Sequence, residues 1–117
     1  MSTGTLKRLA VPGLVTDSLA TIYTVPGATK AIGIAIGLVS DDTAVDITVK
    51  LHIVPSGGTA SATNMRYKGS SPNGLFLRPG ETKTVLLEDV LEAGEFIQMV
   101  ASVTNKVSYR ISGMEVT

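Results

Sequence analysis

The chain has no cysteine. Disulfides, thiolate metal sites and a cysteine nucleophile are therefore excluded. It also has no tryptophan, and only three tyrosines and two phenylalanines among its 117 residues. That is poor material for a sugar cleft, because small-molecule sites draw heavily on aromatic walls. One histidine, His52, leaves no His-x-His or His-Glu spacing for a metal ion. Charge of one sign is absent too: Lys+Arg is 10 and Asp+Glu is 10, so the net charge is zero. A general nucleic-acid binder or a polybasic membrane binder would carry a basic excess, so neither partner is expected. A near-neutral surface does little to oppose self-association. The longest apolar stretch, 31–39, is too short to cross a bilayer and is rich in glycine and alanine. Lys7, Arg8 and Pro12-Gly13 interrupt the N-terminus where a signal peptide would need its apolar region. A soluble product assembled in the cytoplasm is the expectation.

What remains is a set of short alternating segments. The length suits one domain with a modest core. Residues 1–16 read as an N-terminal arm or first edge strand, and 17–117 as the domain proper. ATIYTV at 20–25 has strand composition and stops at Pro26-Gly27. In 30–39 the large Ile32, Ile34, Ile36 and Leu38 alternate with the small Ala31, Gly33, Ala35 and Gly37. One face would fill a core, and the other would let a second surface approach closely. In 45–54, Val45, Ile47, Val49, Leu51 and Ile53 alternate with Asp46, Thr48, Lys50 and His52. The second set is expected in water. Further strands follow at 65–68, 75–77, 82–87, 96–103 and 106–116, parted by Pro-Gly, Asn-Gly and Ala-Gly turns. No segment carries an extended helical period. Seven or eight short antiparallel strands predict an all-β domain, a β-sandwich or jelly-roll-like fold.

Chemistry is sparse. His52 shares the polar face of its strand with Lys50, and no Gly-x-Ser-x-Gly elbow exists. Asp41, Asp42 and Asp46 lack EF-hand spacing and read as turn residues. Glu88, Asp89, Glu92 and Glu95 read as a solvated rim rather than the paired carboxylates of a glycosidase. Gly57-Gly58 has no following Lys-Ser/Thr to make a phosphate loop. Arg66, Tyr67 and Lys68 interleave basic and aromatic residues, a single cluster on a neutral protein. No catalytic residue, metal ligand or cofactor is expected.

Three stretches carry a resemblance. They are ATIYTVPGATKAIGIAIGLVSDDTAVDITVKLHIVPSGGTAS at 20–61, LFLRPGETKTVLLEDVLEAGEFIQMVAS at 75–102, and the closing NKVSYRISGMEVT. Together they resemble small virion-associated proteins of tailed bacteriophages. The resemblance covers about four-fifths of the chain and omits the arm and the 62–74 loop. It implies a structural β-sandwich and brings no catalytic residue with it. Such modules look similar on heads and on tails; the first expectation is a capsid decoration or cement protein that binds the major capsid protein or other virion proteins and works as a homo-oligomer, a trimer among the options. A tail, baseplate or fibre module and a host-glycan binder are the alternatives. Candidate contacts are Leu6, Leu9, Val11 and Leu14 in the arm, and Arg66, Tyr67 and Asn73 in or beside the 55–74 loops.

Overall fold

The computed structural model describes residues 4–67 and 75–117. They contain no helix and ten strands. These are β1 (Gly4–Arg8), β2 (Gly13–Val15), β3 (Ala20–Thr24), β4 (Lys30–Ser40) and β5 (Ile47–Val54). The rest are β6 (Met65–Tyr67), β7 (Leu75–Leu77), β8 (Thr82–Leu87), β9 (Phe96–Ala101) and β10 (Val107–Val116). All pairings are antiparallel. The first sheet runs β1-β10-β4-β8, with β2 also on β10; the second runs β3-β9-β5-β6, with β7 also on β5.

The pairing is nested. β1 and β2 lie end to end along β10, against 112–116 and 107–109 respectively. β7 and β6 likewise share one side of β5. Each couple fills a single strand position, which reconciles ten segments with the seven or eight expected. Position by position, the first strand pairs with the last, β3 with β9, β4 with β8, and β5 with β6/β7. A long hairpin rolled into two four-position sheets has this order, and it is the topology of a jelly roll.

The core lies between the sheets. Ile34, Ile36 and Leu38 of β4, Val85 and Leu87 of β8, and Val107 and Ile111 of β10 face Ile47, Val49 and Leu51 of β5 and Ile97 and Met99 of β9. All are buried, and each contributes about 1.5–3 kcal/mol by leaving water. Two turns use one device. In Arg78-Pro79-Gly80-Glu81, the Glu81 amide donates to the Arg78 carbonyl at 3.0 Å, with Gly80 at φ +73°. In Glu92-Ala93-Gly94-Glu95 the same bond is 3.1 Å, with Gly94 at φ +84°. The positive φ at the third position marks a type II turn. In both, the closing glutamate accepts the first residue's amide proton, at 2.9 and 2.7 Å.

Three sequence expectations are corrected. Ile32 does not share the core face of Ile34; Ala31 is buried instead, and Ile32 is only half-buried. Gly33 sits at φ +61°, and the β10 register slips between Ser112 and Met114. This is a β-bulge, which inserts one residue and reverses the inside-outside parity beyond it. Val45 precedes β5 and is exposed, because the strand starts only at Ile47. His52 is buried rather than solvated. The 55–64 loop folds back over the outer face of the second sheet, and Val54, also on that side of β5, is buried as well.

Candidate interaction surface

Every residue of β1 is exposed, although the strand makes a full five-residue ladder with β10. It is therefore held by backbone pairing more than by packing. Leu6 pairs with Met114 and Leu14 with Ser108, both outward positions of β10. Leu6 is 75% exposed, Leu14 49% and Val11, in the link between the strands, 76%. Leu9 differs: it packs against the core, and its amide donates to the Ile111 carbonyl at 2.9 Å. Val15 is part of the core. Of the four apolar arm residues, three therefore present carbon surface along one sheet margin while Leu9 is part of the packing.

That margin continues onto the outer face of the first sheet. The register places Ser108, Arg110, Ser112 and Met114 of β10 outward, beside Val39, Gly37, Ala35 and Ile32 of β4. Thr82, Thr84 and Leu86 of β8 complete the rows. Val39 is 41% exposed and Leu86 66%. Neither was singled out from the sequence, although Val85-Leu86-Leu87 was a signal: three large apolar residues in a row on a strand cannot all face inward. The outward charges of these strands are Arg8, Arg110 and Lys30, while Lys7 of β1 is engaged by Glu115. Lys30 reaches Glu92 at 3.7 Å.

The second sheet carries the other candidates. Arg66 bonds Asp89 through Nε at 2.9 Å, between side chains about half exposed. An exposed pair of this kind contributes at most about 1 kcal/mol. The Tyr67 backbone pairs with Leu51 in β5. Asn73 lies outside the described residues. The structure thus gathers Leu6, Val11 and Leu14 at one edge of the first sheet and leaves Arg66 and Tyr67 on the opposite sheet.

Polar groups that sequence reading passed over or placed elsewhere are committed to the fold. Asn64 Oδ1 meets His52 Nδ1 at 2.9 Å and accepts the Ser61 amide at 2.9 Å, while its Nδ2 donates to the Thr59 carbonyl at 2.8 Å. It ties the loop to the sheet beneath, and His52 is its anchor. Glu115 on β10 joins both sheets. Its Oε2 accepts the Tyr23 hydroxyl of β3 at 2.6 Å, and its Oε1 meets Lys7 Nζ of β1 at 2.7 Å. The Lys7 bond, then the Tyr23 bond, hold the Glu115 carboxyl below its ordinary pKa. Burial, then the neighbouring Glu115, push the Tyr23 phenol well above its usual range. Asp42 Oδ1 accepts the Ala44 and Val45 amides at 2.8 and 3.0 Å, and these two bonds lower its pKa. It acts as the turn residue its sequence context suggests.

No protein-family model matches the sequence, and no curated protein matches it. Solved structures do share the fold. The coat protein of tobacco streak virus is similar with a TM-score of 0.52 and 9% identity, over 99% of this chain and 85% of that one. A subunit of the disulfide-linked pili that form Bacillus endospore appendages gives 0.51 and 13%, over 99% and 88%. A protein of infectious bursal disease virus, Gx strain, gives 0.50 and 13%, over 98% of this chain; the match spans 31% of that viral chain. At these identities the likeness is one of fold.

Proposed function

We propose that this protein is a virion structural protein that decorates an assembled capsid from outside, as a cement protein does. The observation that carries the reading is the exposed apolar margin of Leu6, Val11 and Leu14 on a jelly roll whose own core is closed without them. Support comes from the fold shared with two viral proteins, one of them a coat protein, and from the sequence resemblance to small virion proteins of tailed phages. The disulfide linkage of the spore pili is not open to a sequence without cysteine. The role is structural rather than catalytic: His52 and Asn64 hold a loop, and Glu115 holds strands. A capsid offers the same acceptor surface many times. Each apolar side chain buried there would contribute about 1.5–3 kcal/mol. An oligomer engaging several acceptors at once multiplies that by effective concentration.

The test is immunogold labelling of intact virions with antibody to this protein, alongside virions carrying Leu6→Ser and Val11→Ser. Deleting 1–14 is a poor substitute, since it strips β10 of its edge partner. Gold over the head, reduced by the substitutions, is the expected result. Gold confined to the tail replaces decoration by a tail or baseplate role, and unlabelled virions overturn the virion reading.

A further inference from the structure

The arm does not follow β10 evenly. Between Arg8, opposite Ser112, and Gly13, opposite Tyr109, it takes five residue steps where β10 takes three. The two surplus residues push 10–12 out of the sheet, and Val11 stands exposed there. The kink leaves a recess of about 280 Å³, bounded by Arg8, Pro12, Arg110, Ile111 and Ser112. The register turns Arg8, Arg110 and Ser112 to the outer side of the sheet. Arg8 and Arg110 occupy diagonal positions of neighbouring strands, about 7–8 Å apart at the backbone. On β4, only Gly37 and Ala35 lie opposite Arg110 and Ser112, so no large side chain closes the recess from that side.

Neither guanidinium is used within the chain. Among the described residues, Arg8 and Arg110 have no side-chain hydrogen bond or ion pair. Their surroundings supply no anion. Glu115 lies on the inner side of the sheet, held by Lys7 and Tyr23. Asp41 has Lys106 beside it, and that pair stands four residues along β10 from Arg110, about 13 Å away. Asp17 lies further past the same end. Glu92 is with Lys30 at the opposite end of the sheet. Glu88 follows the end of β8, two strand positions from β10. The recess therefore gathers two like charges and the Ser112 hydroxyl around an opening without a counter-charge. Two arginine forks so placed fit a planar oxyanion.

We propose that the recess receives a carboxylate side chain of the surface on which the protein docks, with Arg8 and Arg110 donating to its oxygens and the Ser112 hydroxyl adding a third bond. The inference rests on the docking role proposed above and names the chemistry of the acceptor: an aspartate or glutamate flanked by apolar residues. The apolar flanks follow from Leu6 and Val11, exposed on the arm to either side of Arg8. A protein surface uses both the charge and the carbon. A nucleic-acid backbone uses the charge alone, and a chain of zero net charge has no basic excess to draw one in. Contacts at Leu6 and Val11 exclude water from the recess, and the charge-assisted bonds strengthen as it dries. An acceptor without an acid at this point leaves two arginines facing each other unpaired, so the recess selects as well as binds.

The test is co-sedimentation of the full chain with capsids that lack it, across a salt series. The natural chain binds, and binding weakens as salt rises. Arg8→Gln and Arg110→Gln each weaken it about tenfold and flatten the salt dependence. Melting temperatures stay unchanged, because both side chains are exposed. Arg8→Lys/Arg110→Lys keeps the charge but loses the fork, and binds between the natural chain and Arg8→Gln/Arg110→Gln. Amidating the capsid carboxylates with a carbodiimide and glycinamide, with the capsids intact by electron microscopy, lowers binding of the natural chain to the level of the double glutamine variant. Binding indifferent to both arginines overturns this inference and leaves decoration standing. Binding that needs the arginines yet survives amidation and is displaced by DNA replaces the carboxylate with a phosphate, and also overturns it. Capsids that the natural chain does not bind overturn decoration itself, and this inference with it.

Discussion

Gly33→Ala and Gly37→Ala, a pair of equal-looking substitutions in β4, should move stability in opposite directions. An added Cβ at either position meets nothing within 4 Å, so packing plays no part. The difference is backbone. Gly33 lies at φ +61°, where a Cβ crowds the following carbonyl and costs about 1–2 kcal/mol. Replacing glycine also removes freedom from the unfolded chain, which offsets about 0.4–1 kcal/mol of that. The net loss at Gly33 is about 1 kcal/mol. Gly37 has no positive φ, so only the unfolded-state term acts, and Gly37→Ala should gain up to about 1 kcal/mol. Urea unfolding of the three proteins at one pH decides the matter. Midpoints should move in opposite directions at an unchanged slope, since the surface exposed on unfolding is the same. In heat denaturation the Gly33 variant should melt about 4 °C lower. If the two glycines respond alike, β4 alternates regularly, Ile32 belongs with Ile34 in the core, and the bulge is wrong.

Two further perturbations act on polar contacts. Glu115 has its pKa lowered in the fold, so its contribution is present above the ordinary glutamate range. It is lost as pH falls below about 4.5 and through the lowered folded value. Amide exchange at β1 should therefore accelerate in acid before the core loosens, and Glu115→Gln should flatten that dependence. Asn64→Ala leaves His52 without its partner and releases three of the loop's ties. A loss of about 1–3 kcal/mol and earlier proteolytic cutting within 55–64 are expected, with cutting unchanged as the refuting result.

The alternation in 47–51 was readable because nothing interrupts the strand there, and so were the turns at Pro79-Gly80 and Gly94. The fold class followed from them. The bulge at Gly33 was hidden, because the Ile/small pattern of 30–39 reads as perfectly regular; only the partner strand reveals the inserted residue. His52 was misplaced for a related reason. Period-two reasoning assigns a side of the sheet, and His52 does lie on the outer side. Whether that side meets water depends on the 55–64 loop, whose low-complexity composition gives no hint that Asn64, twelve residues on, holds it down.

The nesting of the strands also orders events in time. β5 meets β7 and β6 across a short span of chain, β4 must wait for β8, and β3 for β9. β1 and β2, the first strands to be made, have no place to bind until β10, the last, has been synthesised. Closing such distant pairs is slow, because chain entropy is lost before contacts compensate. During that interval β4 has one whole side open, and the N-terminal strands are loose. Where chains are crowded, the strand that closes one molecule can come from its neighbour at the same register, so the rate at which β10 is delivered governs how often chains exchange strands.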